Sequence, residues 1–201
     1  FRLFDLDVTS PWVWLAMFVL RDFVYYWIHR AEHRFAGLWA SHMVHHSPTE
    51  MNFATAVRMP WMEALYKPLL GLWAPLLGFH PAAFAAIGAL VLLVGQYHHT
   101  EGGGRVQFVR GVFVTPATHR VHHGSNQRYL DKNFGSMLVI WDRMFGTYED
   151  ETEPVVYGLT GGKAIDRPGA ALVGGYPDLF GRMRRARSLR DAACELVARP
   201  A

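Results

Sequence analysis

Eleven histidines occur in a chain of 201 residues that holds one cysteine, Cys194, and 17 acidic residues. Most of them fall in three tight runs: His29 and His33 in HRAEH, His42, His45 and His46 in HMVHH, and His119, His122 and His123 in HRVHH. Residues four apart stack on one face of a helix and residues three apart lie close beside it, so each run turns its imidazoles toward a common side. A lone histidine on an apolar face is usually a hydrogen-bonded core residue, whereas clusters at this spacing have the character of metal ligands. His98 and His99 form a further pair, one of which is expected to add a ninth ligand. His80, in the Gly78-Phe79-His80-Pro81 break, reads as structural. A single cysteine excludes both a disulfide framework and cysteine-ligated zinc sites.

Ligand number decides the next step. A tetrahedral site is satisfied by four donors, and eight or nine imidazoles therefore call for two metals. Imidazole accepts zinc, copper, nickel or iron, so ligand type alone does not choose among them. All-nitrogen ligation beside apolar helices suits two iron ions acting with dioxygen on a lipid C–H bond, a task that redox-inactive zinc cannot perform. Asp22 and Tyr26 precede His29 by seven and three residues on roughly the same stripe and, with Glu32, are candidates for orienting the ligand rings.

The elements that must carry these rings are written in the apolar pattern. From Pro68 to Thr100 there are 33 consecutive residues without Asp, Glu, Lys or Arg. As one helix they would run about 50 Å against about 30 Å of hydrocarbon, so the run must break, and Pro81 marks where. The expected result is a hairpin, Trp61 to Leu77 inward and Ala82 to Tyr97 back. A second apolar stretch, 11–28, opens with Ser10 as N-cap and Pro11 in the first turn and leads directly into the first histidine run. The third run is punctuated by Thr115, Pro116 and Gly124 as a short helix.

A hairpin returns the chain to the side it left, so all three histidine runs share one membrane face. All Lys and Arg except Arg2, Arg21 and Lys67 lie in the same flanking segments, which makes that face cytoplasmic by the positive-inside rule. The fold class is then all-α: an integral membrane helical bundle with a histidine-bearing cytoplasmic cap, forming a single domain over 1–201. The cap spans 98–160. A terminal amphipathic helix is expected over 177–198, with Leu179, Met183, Ala186, Ala193 and Val197 on one side and arginines on the other, suited either to anionic lipid or to solvent. A net charge of +3 gives no argument for nucleic acid. The chain begins at Phe1, and upstream sequence, including leading membrane helices, is expected.

The motifs HxxxH, HxxHH and HxxHH, in this order, resemble those of the fatty acid hydroxylase and sterol desaturase superfamily of membrane enzymes. Within it, the wording is most similar to the alkylglycerol monooxygenase group and its bacterial relatives: DFVYYWIHRAEH from Asp22, WASHMVHHS from Trp39, HTE from His99, THRVHHGSN from Thr118, DKNFGSMLVIWDRMFGTYE from Asp131 and VYGLT from Val156. The resemblance implies a diiron centre, dioxygen as oxidant, and hydroxylation of a membrane lipid, sterol or alkylglycerol. It carries ligand roles onto His29, His33, His42, His45, His46, His119, His122 and His123, and onto His99 rather than His98. It also implies that Asp131, Asn133, Trp141 and Asp142 belong to a cap near the site. No fused haem, flavin or iron–sulfur domain is recognisable, and Gly102-Gly103-Gly104 lacks the spacing of a nucleotide fingerprint, so electrons are expected from an external donor, a partner protein or a reduced pterin. A desaturase or aldehyde-forming enzyme on the same cage is the alternative, as is a membrane metal- or lipid-binding protein without redox turnover. Both the bacterial inner membrane and the endoplasmic reticulum suit such a chain.

Overall fold

The computed structural model describes residues 1–102, 111–162, 165 and 167–200; Gly103 and Gly104 of the glycine run lie outside them. Among the described residues every regular element is helical: α1 (Pro11–Arg34), α2 (Ala36–His46), α3 (Phe53–Val57), α4 (Trp61–Leu70), α5 (Trp73–Leu77), α6 (Pro81–His98), α7 (Pro116–His123), α8 (Ile140–Met144), α9 (Pro168–Val173), α10 (Tyr176–Arg185) and α11 (Leu189–Val197).

The apolar hairpin forms with its turn where the sequence breaks. Gly78 takes φ +112, a conformation that only glycine adopts without strain, and a Cβ there would stand 2.1 Å from the Phe4 carbonyl oxygen. His80 has the structural role expected of it: its Nδ1 accepts the Ala82 N–H at 3.2 Å and caps α6. The inward arm is not continuous, because Pro68 and Pro75 each lack a backbone donor and Gly71 ends α4, leaving two short helices over 61–77. Met17 of α1, Ala74 of α5, and Ala83, Ile87 and Val91 of α6 form the core between these elements, with Phe79 at the turn. The outward faces of α4 and α6 carry Leu65, Leu69, Leu92 and Leu93, all more than half exposed. By length and composition α6 is the one described helix able to cross a membrane.

The terminal region folds differently from a single amphipathic helix. Ala186 leaves the helical region at ψ 145, and Ser188 starts a new helix by accepting the Asp191 N–H at 3.0 Å. Helices α10 and α11 fold back on each other, with Arg182 Nε 2.9 Å from Glu195 Oε2 between them. Leu179, expected on a lipid- or solvent-facing stripe, is instead buried with Ala36 and Ala40 of α2, and Met183 packs beside it. Burying a leucine side chain contributes about 1.5–3 kcal/mol to the docking of this region on α2.

Candidate metal centre

Nine imidazoles converge in two adjoining groups. His29, His33, His42, His46 and His122 form one, and His45, His99, His119 and His123 the other; within each, the candidate ligand atoms lie within 4.8 Å of one another. The pairs four residues apart stay together (29/33, 42/46 and 119/123), while the residue three from its run's start, His45 or His122, crosses to the other group. Helical geometry explains this, since a residue at i+4 lies about 40° from i and one at i+3 about 60° to the other side. Helices α2 and α7 thus each serve both groups, while α1 serves the first, and His99, just past α6, serves the second.

Distances inside the groups fit shared metals. The Nε2 atoms of His29 and His42 are 3.2 Å apart, as are those of His42 and His46, and of His33 and His46. In the other group, His99 Nε2 lies 3.2 Å from His45 Nε2 and 3.0 Å from His119 Nε2. Two nitrogens each about 2.0–2.1 Å from one metal stand about 3.0–3.4 Å apart at ordinary angles.

Protonation strengthens the fit. His29 Nδ1 donates to the Phe134 carbonyl at 2.9 Å and His42 Nδ1 to Glu63 Oε1 at 2.9 Å. Neither acceptor carries a proton to share, so each Nδ1 is protonated, and in the neutral ring the facing Nε2 offers its lone pair. Two lone pairs 3.2 Å apart repel unless a cation lies between them. His99 Nδ1 is held in the same way by the Gly95 carbonyl at 2.7 Å, and His122 Nδ1 by the Lys132 carbonyl at 2.9 Å. The Nε2 atoms of His122 and His123 are buried with no hydrogen-bond partner, as metal-directed nitrogens would be.

His98 stands outside both groups, hydrogen-bonded to the backbone of Val114. A cavity of about 380 Å³ is lined by His33, His46, His122 and His123 together with Trp39 and Asp131.

A model of the fatty acid hydroxylase family matches residues 14–147, two thirds of the sequence. The chain belongs to the fatty acid hydroxylase family. It is 41% identical over 161 residues to alkylglycerol monooxygenase of Homo sapiens, covering 80% of this chain and 36% of that protein. It is 32% identical over 146 residues to the ornithine lipid hydroxylase OlsE of Rhizobium tropici, covering 71% and 44% respectively. It is also 26% identical over 159 residues to the Delta(7)-sterol 5(6)-desaturase erg3B of Aspergillus fumigatus, covering 73% and 44%. The chain thus spans about a third of the length of the alkylglycerol monooxygenases it matches. No solved structure matches it.

In this member of the fatty acid hydroxylase family the surroundings of most of these imidazoles favour the neutral ring. Burial, reinforced by repulsion between neighbouring rings, pushes His29, His45, His46, His119 and His123 well below the ordinary histidine value. Burial is also the main cause that takes His33 and His122 down to about 3. Neutral rings are the form that binds metal.

Asp22 and Tyr26 do not touch the ligand rings. Asp22 accepts the backbone N–H groups of Met137 and Leu138 at 2.9 and 3.1 Å and the Trp141 indole N–H at 2.9 Å, tying the cap to α1. The Tyr26 hydroxyl lies 3.0 Å from Thr147 Oγ1. The cap residues implied by the family resemblance take matching structural places. Asp142 accepts the N–H groups of Phe134 and Gly135 at 2.7 and 2.8 Å, fixing the segment whose carbonyl holds His29. Asn133, at φ 55, donates to the carbonyls of Thr118 and Glu149 at 3.0 and 2.8 Å. Asp131 Oδ1 lies 3.7 Å from His33 Nδ1, beyond direct hydrogen-bond range.

The ring-orienting groups that residue-type reasoning misses are three backbone carbonyls, which carry no side-chain signature, and Glu63. The one available signal for Glu63 was its position: an acidic residue at the start of an apolar helix.

Proposed function

We propose that this chain carries the metal centre of a membrane-bound diiron lipid oxygenase, which hydroxylates a C–H bond of a lipid, sterol or alkylglycerol with dioxygen and external electrons. The observation that carries this reading is the convergence of lone-pair-bearing imidazole nitrogens at metal-sharing distances in two adjoining groups. One iron would be held by His29, His33, His42, His46 and His122, and the other by His45, His99, His119 and His123. When bound, the irons would supply the reduction of dioxygen and the removal of hydrogen from carbon.

The protein's own part is positioning. The carbonyls of Phe134, Gly95 and Lys132 and the Glu63 carboxylate fix ring orientation, and the buried walls keep the imidazoles neutral and bulk water away. The exposed leucines of α4 and α6 and the uncharged length of α6 support a bilayer around α1 and the hairpin, which would deliver an acyl or alkyl chain to the metals. The arginine distribution supports a cytoplasmic face for the histidines. The cavity beside His33 and Trp39 would admit polar reactants from that side. Electrons would come from a partner protein or a reduced pterin. The names of the relatives, a monooxygenase and a lipid hydroxylase, support hydroxylation. The sterol desaturase among them favours a second outcome on the same cage, removal of two hydrogens.

The test is dioxygen consumption by iron-loaded protein in lipid membranes with a reductant and a lipid extract, followed by product mass. A gain of one oxygen supports the hydroxylase, and a loss of two hydrogens supports the desaturase. A protein that holds metal but consumes no dioxygen with any donor is a non-redox metal or lipid binder, and the proposal fails.

A further inference from the structure

On the α4 side of His42 lies a charged cluster that the metal groups do not use. Glu32 and Glu63 are almost fully buried, at 0% and 1% exposure. Together with His42 they have the composition of a third metal site. A cation already sits there: the Lys67 ammonium lies 3.2 Å from Glu32 Oε1 and is hydrogen-bonded to Glu63. The Tyr66 hydroxyl donates to Glu32 as well. Glu63 Oε1, fixed from its other oxygen by Lys67, receives His42 Nδ1–H at 2.9 Å. Glu32 Oε2 stands 3.6 Å from the same Nδ1 and has no hydrogen-bond partner of its own.

Two carboxylates against one ammonium leave a net negative charge directly behind one ligand ring. A buried excess charge is costly unless something compensates it, and a dication on the far side of His42 would do so. A carboxylate behind a ligating imidazole also raises its basicity. The four-histidine group is built otherwise: His99 leans on a neutral carbonyl, and His45 Nδ1 is buried without a partner. Resting on the two-metal reading above, we infer that Glu63, clamped by Lys67, is a positioning residue for His42 and makes the two metal positions unequal, with the five-histidine position keeping its metal longer.

The experiment loads the full chain in lipid nanodiscs with cobalt(II) and follows its visible absorption as a chelator removes the metal. Wild type should take up two ions and release them in two phases, the slow phase disappearing in His42→Ala and the fast one in His119→Ala. Glu63→Ala should speed the slow phase by about 10–100-fold and leave the fast one unchanged. Glu63→Gln retains size and an acceptor for Nδ1–H but loses the charge, and should fall between. The untouched fast phase separates this from general loosening of the fold. Release in a single phase by wild type, unchanged slow phases in both Glu63 variants, or equal acceleration of both phases would overturn the inference. Failure of wild type to bind two ions would instead refute the metal-centre reading on which it rests.

Discussion

His46 and His123 stack face to face, ring centroids 4.3 Å apart and planes 21° from parallel, although they belong to different ligand groups. The two histidine groups therefore share an imidazole wall contributed by α2 and α7.

Two metals per chain should follow, and single losses should be separable. His42→Ala, on the five-histidine side, and His119→Ala, on the four-histidine side, are each expected to reduce bound metal from about two to about one per chain by elemental analysis. Both should abolish turnover. Retention of two metals in either variant would remove that residue from the ligand set.

Acidity should weaken the metal-free protein in a defined window. The buried imidazoles are held well below 6.5 in the folded state, with His33 and His122 at about 3. The unfolded chain takes up protons as pH falls through about 6.5, while the folded chain does not. Stability is thus full above about 6.5 and declines below it, each such ring removing about 1.4 kcal/mol per pH unit until its folded value is reached. Denaturation midpoints of the metal-free protein at pH 8, 6.5 and 5 will test this, and a flat profile would contradict neutral burial.

Asp142 is the buried carboxylate on which the cap turns. It accepts from Phe134, Gly135 and the Thr147 hydroxyl, so Asp142→Ala strands three donors. The expected cost is about 2–5 kcal/mol. Because the Phe134 carbonyl orients His29, metal release should quicken too. Thermal denaturation and chelator-release rates measure the two effects.

Asn133 combines backbone strain with hydrogen bonding, and two substitutions divide them. Asn133→Gly keeps the left-handed conformation but loses the bonds to Thr118 and Glu149, while Asn133→Ala loses both. Alanine should be less stable than glycine by about 1 kcal/mol, read from denaturant midpoints.

Much of this was legible in the sequence because it depends on local spacing. The ligand runs, the Thr115–Pro116 start of α7 and the Gly78–Pro81 turn are each fixed by residues within a few positions of one another. Membership of the fatty acid hydroxylase family was readable from the same runs. That His45 and His122 turn away from their run-mates follows from helix geometry, but the group each joins did not show in the sequence, because it depends on how α1, α2 and α7 cross. Asp22 illustrates the same limit: its stripe on α1 is visible, but its partners, Met137, Leu138 and Trp141, lie more than a hundred residues away and are set by the cap. The expected lipid- or solvent-facing stripe of the terminal region is overturned by Leu179, which packs on α2, a contact that no window of sequence contains.

The packing of the terminal region on α2 has a further consequence. The Ala36 N–H bonds the Ala198 carbonyl at 2.9 Å, and the Gly175 N–H bonds the Ala40 carbonyl at 2.7 Å. The helix that contributes to both histidine groups is therefore gripped by residues some 130 or more positions after it. Neither bond can form before residues 175 and 198 have been made, so α2 gains these two backbone partners only late in the chain's synthesis.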